Sequence, residues 1–165
     1  DHVGLLCLRP AAEGGLSRIV NMVAVLEVMN EKYPSFVPRL YQPYFFDRQR
    51  EHSDTDKNTI CAPLLSDEEG GLRVRVSRNL IYQGYKLEGK KISATSEAAL
   101  DAFFSIIDDP KMFIEFQFQA GQIQFLNNRL IGHKRTKFRD IPGSGVERKL
   151  CRIWLREAGR RFYNG

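Results

Sequence analysis

The chain has 165 residues, of which 42% are hydrophobic and 27% charged. That composition fits one globular core and is short for two comfortable domains. No apolar run approaches the ~20 residues that a membrane span requires. No basic segment or small-residue cleavage motif precedes the apolar run Val3–Leu8, so a secretory leader is not expected. Net charge is +5, from 25 Lys and Arg against 20 Asp and Glu. Nucleic acid is compatible with that balance, but the basic residues are scattered. The locally rich stretch from Lys134 to Arg161 has few aromatics for stacking. Acidic small-molecule ligands account for the same arginines more economically.

Three cysteines, Cys7, Cys61 and Cys151, are an odd count without the paired spacing of a zinc site. They read as reduced core residues of a cytoplasmic protein. A chain that opens on a core strand, without a cap or a starting methionine, reads as part of a longer polypeptide.

In chain order, Val3–Leu8 has the length and continuity of a buried strand, ended by Arg9-Pro10. A turn closed by Gly14-Gly15 leads to a second strand over Leu16–Met22, with Ser17, Ile19 and Asn21 on one face. Val23–Lys32 has helical apolar spacing and is stopped by Pro34. Tyr41–Arg50 reads as an edge strand, because Pro43 cannot donate to a ladder, and Glu51–Asn58 as a solvated loop. Thr59–Leu65 and Leu72–Ser77 flank Asp67–Gly71 as a hairpin, with Arg73 and Arg75 on a wet face. Ser96–Ile107 is a helix capped by Ser96, with its stripe at Leu100, Phe103, Phe104 and Ile107. Phe113–Phe118 and Gln122–Leu126 alternate with period two around Ala120-Gly121 and read as a further hairpin. Leu150–Leu155 is the last strand, and the basic tail after Arg156 is expected to fray. Seven or eight short strands with two helices, and no strand–helix–strand alternation, predict antiparallel strands in a sandwich or jelly roll with helices outside.

The histidines are His2, His52 and His133. His52 falls in the polar loop and reads as solvent-exposed, and the position of His2 gives nothing to judge it by. His133 follows a strand amid Asn127, Asn128, Arg129, Lys134 and Arg135, which leaves it either a surface histidine in a basic loop or a metal ligand. An iron site of the facial-triad kind takes two histidines and one carboxylate, yet the chain holds no His-x-Asp or His-x-Glu, so its metal site is incomplete. Arg148 and Arg152, four apart in an extended segment, share a face. They are either partners of surface carboxylates or a carboxylate anchor, for which the planar fork of arginine is suited.

The segments FQAGQIQFLNNRLIGHKRTKF and RKLCRIWL together resemble the C-terminal signature of the taurine-dioxygenase and clavaminate-synthase-like group. These are iron(II)- and 2-oxoglutarate-dependent dioxygenases built on a double-stranded β-helix. VGLLCLRPAAEGGLSRIV likewise resembles the strands that follow the family's His-x-Asp motif, so the likeness runs in order along nearly the whole chain. It implies a mainly β, double-stranded β-helix (jelly roll) with flanking helices, forming one catalytic-type domain over residues 1–165 that lacks its N-terminal part. His133 takes the place of the distal iron-ligand histidine. Arg148 takes that of the arginine pairing with the far carboxylate of 2-oxoglutarate, and Ser17 that of a hydroxyl bonding the same carboxylate. Arg152 matches the next arginine, near the co-substrate or an acidic group of the substrate, and Asn128 supports the histidine.

The other two iron ligands are expected a few residues upstream of Asp1, with Asp1 itself as the other candidate for the carboxylate. The stretch Ile141–Gly145 lengthens the loop before Arg148, which leaves open which arginine does which task. The activity implied is 2-oxoglutarate- and oxygen-dependent oxidation, usually hydroxylation, of a small polar or acidic molecule, with release of succinate and carbon dioxide. The alternative is a metal-free jelly-roll module that keeps the arginine pocket. Arg73, Arg75 and Arg78 are candidate substrate selectors, against ordinary surface charge.

Overall fold

The computed structural model describes residues 2–49, 54–68, 71–141, 143 and 147–155. The chain divides into two compact units, one within residues 1–22 and 110–158 and the other within 23–109 and 159–165. Asp1, His52 and the tail after Leu155 lie outside the described residues, as do parts of the Asp67–Gly71 and Ile141–Gly145 loops.

The first unit is made of strands. One sheet has the order β12-β1-β9, with β1 at His2–Arg9, β9 at Ile123–Asn127 and β12 at Lys149–Leu155. A second has the order β10-β3-β8, with β3 at Ser17–Asn21, β8 at Phe113–Phe116 and β10 at Ile131–Arg135. The short pair β2 (Glu13–Gly14) and β11 (Phe138–Arg139) lies between them in sequence. All the ladders are antiparallel, the arrangement of a double-stranded β-helix.

The proposed hairpin over Phe113–Leu126 is not formed. β8 pairs with β3, whereas β9 pairs with β1 in the other sheet. Alternation shows that each segment is a strand with two unlike faces; it does not say which neighbour completes the ladder. The turn at Gly121 (φ +86°) carries the chain from one sheet to the other, and its N–H donates to the Cys7 carbonyl.

In the β12-β1-β9 sheet, opposed residues share a face. Val3 opposes Trp154 and Leu126, and Leu5 opposes Arg152 and Gln124. Val3, Cys7, Gln124 and Leu126 are buried. The other face carries Ile123, Phe125, Cys151, Ile153 and Leu155, all exposed. All three cysteines are free, but only Cys7 belongs to the core; Cys61 and Cys151 are exposed.

The second unit holds the helices and two hairpins. α1 (Met22–Lys32) begins at the junction and buries Val25 and Met29 completely. Pro34 ends it as expected, but a 3-10 turn at Pro34–Phe36 and a short α2 (Val37–Leu40) follow. Among the described residues β4 (Pro43–Asp47) pairs only with β5 (Thr59–Pro63), and β6 (Leu65–Glu68) with β7 (Gly71–Val74). α3 (Arg78–Leu87) was not expected: its Ser77 cap, accepting from the Leu80 N–H, follows directly on the strand pattern and is masked by it. α4 (Ala94–Ile107) starts two residues early, because Ser93 and not Ser96 is its N-cap, accepting from the Ser96 N–H at 3.2 Å. Ser96 is instead buried, where it receives Arg39 Nε at 2.8 Å.

Gly84 of α3 lies directly on β4: a Cβ there would stand 2.5 Å from the Phe45 carbonyl oxygen and 2.7 Å from Phe46 Cα. Backbone cannot yield as a side-chain tip can. Gly84→Ala should therefore destabilise the protein by about 1–3 kcal/mol, the usual cost of overpacking. Denaturant unfolding of the variant against the parent measures it.

Candidate active site

Ser17, Asn128, His133, Arg148 and Arg152, singled out from the sequence for the site, all fall in the strand-rich unit. Ser17 opens β3 and His133 occupies the middle of β10, paired with Ile19 rather than trailing the strand as expected. Strand alternation places Ser17, Ile19, His133 and Arg135 on one face, since Ser17 opposes Arg135 and Ile19 opposes His133. On the other face of β10, Gly132 allows a close seat: a Cβ there would come within 2.1 Å of Met22 Cε and 2.9 Å of Val20 Cγ1. β10 is thereby held from behind while its histidine faces forward.

Ser17 is 7% exposed, and its hydroxyl donates to Gln124 Oε1 at 3.3 Å. This bond joins the two sheets and defines the interior between them as the face that carries the candidate residues. The start of β3 is fixed by Thr136, whose Oγ1 accepts from the Leu16 N–H at 2.9 Å and whose N–H donates to the Leu16 carbonyl.

Arg148 lies immediately before β12, half-buried. β1 bulges at Leu8: Cys7 opposes Leu150, and the next pair is Arg9 with Lys149. A bulge ends regular pairing and re-aims the adjoining side chain, here at Arg148. Its backbone N–H donates to Asp140 Oδ2 at 3.0 Å. Its guanidinium lies over the Phe138 ring at 5.4 Å. Gly15 (φ +71°) leaves room for it, since a Cβ there would stand 3.4 Å from Arg148 Nε. Burial lowers the Arg148 pKa first and the Arg135 charge adds to this, with Cys7 and Asp140 opposing. Cys7 is pushed up by burial, and the Arg148 charge partly offsets the shift.

Arg152 opposes Leu5 within β12 and is exposed, with its guanidinium 5.4 Å from the Trp154 ring. Leu150 and Trp154 are partly buried while their odd-numbered neighbours are exposed, so Arg152 shares their face. His133 is open to solvent, yet enough protein surrounds it that desolvation is the first cause of its lowered pKa; the Arg152 charge is the second. The two arginines are thus sorted by their neighbours. Arg148 stands with Gly15 at the Ser17 end, and Arg152 acts on His133.

Arg135, two residues after His133, was not singled out. It stacks on Phe138 at 4.2 Å, so two guanidiniums share that ring, and it adds to the positive field at Arg148. Its place two positions from His133 in an alternating strand was the available signal. Gln124 was also missed, because IQFL suggests that Ile123 and Phe125 point inward, whereas Gln124 and Leu126 do. Asn128 is not drawn to His133: it sits half-buried in the turn between β9 and β10. There Asn127, through Oδ1, accepts from the Arg129 N–H at 3.0 Å. Arg73, Arg75 and Arg78 lie in the other unit. Arg73 pairs with Glu68, Arg75 lies over Phe46, and Arg78, the first residue of α3, pairs with Asp101.

The donor set fits a dicarboxylate: three arginines on the facing surfaces of the two sheets, a buried hydroxyl, and a buried amide whose Nε2 has no partner among the described residues. It does not complete a metal centre. No three of His, Cys, Asp and Glu converge among the described residues, and His133 is the one metal-ligand type on this face of β10.

Several known proteins are similar to this chain in sequence or fold. A taurine hydroxylase-like protein, SAT17, from Stachybotrys chartarum is 28% identical over 155 residues, covering 92% of this chain and 39% of that protein. Asparagine oxygenase, solved with Fe(II), 3-hydroxyasparagine and succinate, superimposes with a TM-score of 0.68 at 22% identity over 92% of this chain and 44% of that one. The non-haem iron oxygenase OrfP, solved with Fe and α-ketoglutaric acid, gives 0.60 at 19% identity over 92% and 43%. The chain therefore spans less than half the length of these relatives. The family model described as taurine catabolism dioxygenase TauD, TfdA family, matches residues 1–154, and the chain belongs to that family.

Proposed function

We propose that this chain forms the co-substrate-binding part of an iron(II)- and 2-oxoglutarate-dependent dioxygenase that hydroxylates a small polar molecule. The observation that carries the reading is the seat of Arg148 against Gly15, two residues before Ser17 on β3, with Arg152 on the facing sheet close enough for its charge to act on His133. Family membership supports it, as do the iron and α-ketoglutaric acid in the OrfP structure.

In this reading Arg148, at the Ser17 end of β3, holds the far carboxylate of 2-oxoglutarate. The guanidinium fork gives a charge-assisted, bidentate contact, and burial strengthens it by removing competing water. Phe138 and the bulge at Leu8 restrict where the fork can point. His133 supplies one metal ligand, and its lowered pKa keeps a nitrogen lone pair available at neutral pH. The second histidine and the carboxylate come from outside the described residues. Iron(II), when bound with 2-oxoglutarate and oxygen, supplies the oxidising chemistry that yields succinate, carbon dioxide and the hydroxylated product. Arg152, beside His133, is placed to face an anionic group near the metal. Ile114, 66% exposed on the same face as Ile19 and His133, lines the open edge by which a substrate reaches them.

The test is 2-oxoglutarate turnover by the full-length protein: iron-dependent succinate formation supports the reading, and its absence in iron-loaded protein with a panel of amino acids and other small acids overturns it. Arg148→Leu should weaken 2-oxoglutarate binding about 10–100-fold, the loss of a charge-assisted contact of about 1.5–3 kcal/mol. Arg148→Lys should recover part of it, because charge returns without the fork. His133→Ala should lower bound iron after dialysis, measured by metal analysis, while leaving the unfolding midpoint of the metal-free protein within about 0.5 kcal/mol of the parent.

A further inference from the structure

Gln124 is the one amide in the buried inner face of the β12-β1-β9 sheet whose presence packing does not explain. It is nine-tenths buried at 9% exposure, and its inward neighbours Val3, Cys7 and Leu126 are apolar. A leucine would fill the same place without a polar group to satisfy. One end of the amide is used, since Oε1 accepts from the Ser17 hydroxyl at 3.3 Å. The other end, Nε2, is buried with no hydrogen-bond partner among the described residues. A buried donor pair left without an acceptor is costly, and in native proteins it marks a place that a ligand or ion completes.

The position of the amide says which ligand. Gln124 opposes Leu5, whose other neighbour across the ladder is Arg152, and it meets Ser17 from the facing sheet. Two residues before Ser17, Gly15 makes room for Arg148. Because the Ser17 hydrogen is given to Gln124, the hydroxyl has no second hydrogen for an anion at that end. The amide nitrogen has two.

We propose that Gln124 is a positioning residue for the co-substrate: Ser17 orients its amide, and the Nε2 hydrogens donate to the far carboxylate alongside Arg148. This rests on the dioxygenase reading above and assigns to Ser17 a role one step removed from the carboxylate. The amide also selects for the far carboxylate, since a 2-oxo acid that ends in a methyl group leaves the donors unmet.

The experiment is calorimetric titration of the full-length, iron(II)-loaded protein without oxygen, using 2-oxoglutarate and 2-oxopentanoate, which has the same chain length but no far carboxylate. Gln124→Leu should raise the Kd for 2-oxoglutarate about tenfold, the loss of one hydrogen bond to a charged group. Its Kd for 2-oxopentanoate should stay within about twofold. Gln124→Glu keeps the acceptor for Ser17 but brings a negative charge and no donor, and should weaken 2-oxoglutarate further than Leu does. It also serves if the Leu variant fails to fold. An unchanged 2-oxoglutarate Kd in the Leu variant overturns the proposal, and so does equal weakening of both acids. If the parent binds neither acid, the dioxygenase reading falls first and this inference with it.

Discussion

Every ladder in the strand-rich unit joins a strand within residues 2–21 to one within residues 113–155. β1 is the central strand of one sheet and β3 of the other. Among the described residues the unit therefore has no local hairpin to start from, and its formation requires closing a loop that spans the whole helical segment. Loop closure of this kind costs chain entropy before any ladder is gained. The benefit is positional. Strands from distant parts of the chain present Ser17, Gln124, His133, Arg148 and Arg152 on facing surfaces that a meander of neighbouring strands would not bring together.

The positive field follows from the same arrangement. Burial and then the Arg135 charge lower the Arg148 pKa, and burial and then the Arg152 charge lower that of His133. Three guanidiniums on the facing surfaces of the two sheets, against Asp140 and a buried thiol, make that region strongly positive. In the proposed reading a dicarboxylate offsets that charge, with the bulge at Leu8, the open Gly15 and the Phe138 ring bounding the place of its far end.

Much of this was legible before any coordinates. The strand runs, the helix over Val23–Lys32 and the segment around His133 carry period and composition that local physics reads directly. The partners of the strands were not legible: FIEFQF and IQFLN each announce a strand and are silent on which sheet receives it. Gln124 was hidden because an alternating strand is assumed to turn its larger apolar residues inward, and here Ile123 and Phe125 point outward. α3 was hidden because its serine cap abuts a strand, so no polar gap separates the two periods. Asn128 attracted notice by its place in an Asn-Arg pair, whereas the turn itself is organised by Asn127.

The outward face of the β12-β1-β9 sheet has a practical consequence. Ile123, Phe125, Ile153 and Leu155 alternate strictly with the residues of the pocket. The two faces are therefore separate fields for protein engineering. Threonine or lysine at those four positions would make the surface more hydrophilic and blunt edge-to-edge association of β9 and β12, while the inward row of Leu126, Gln124, Leu5 and Arg152 keeps its register. A sheet two-sided in this way lets solubility be redesigned without touching chemistry.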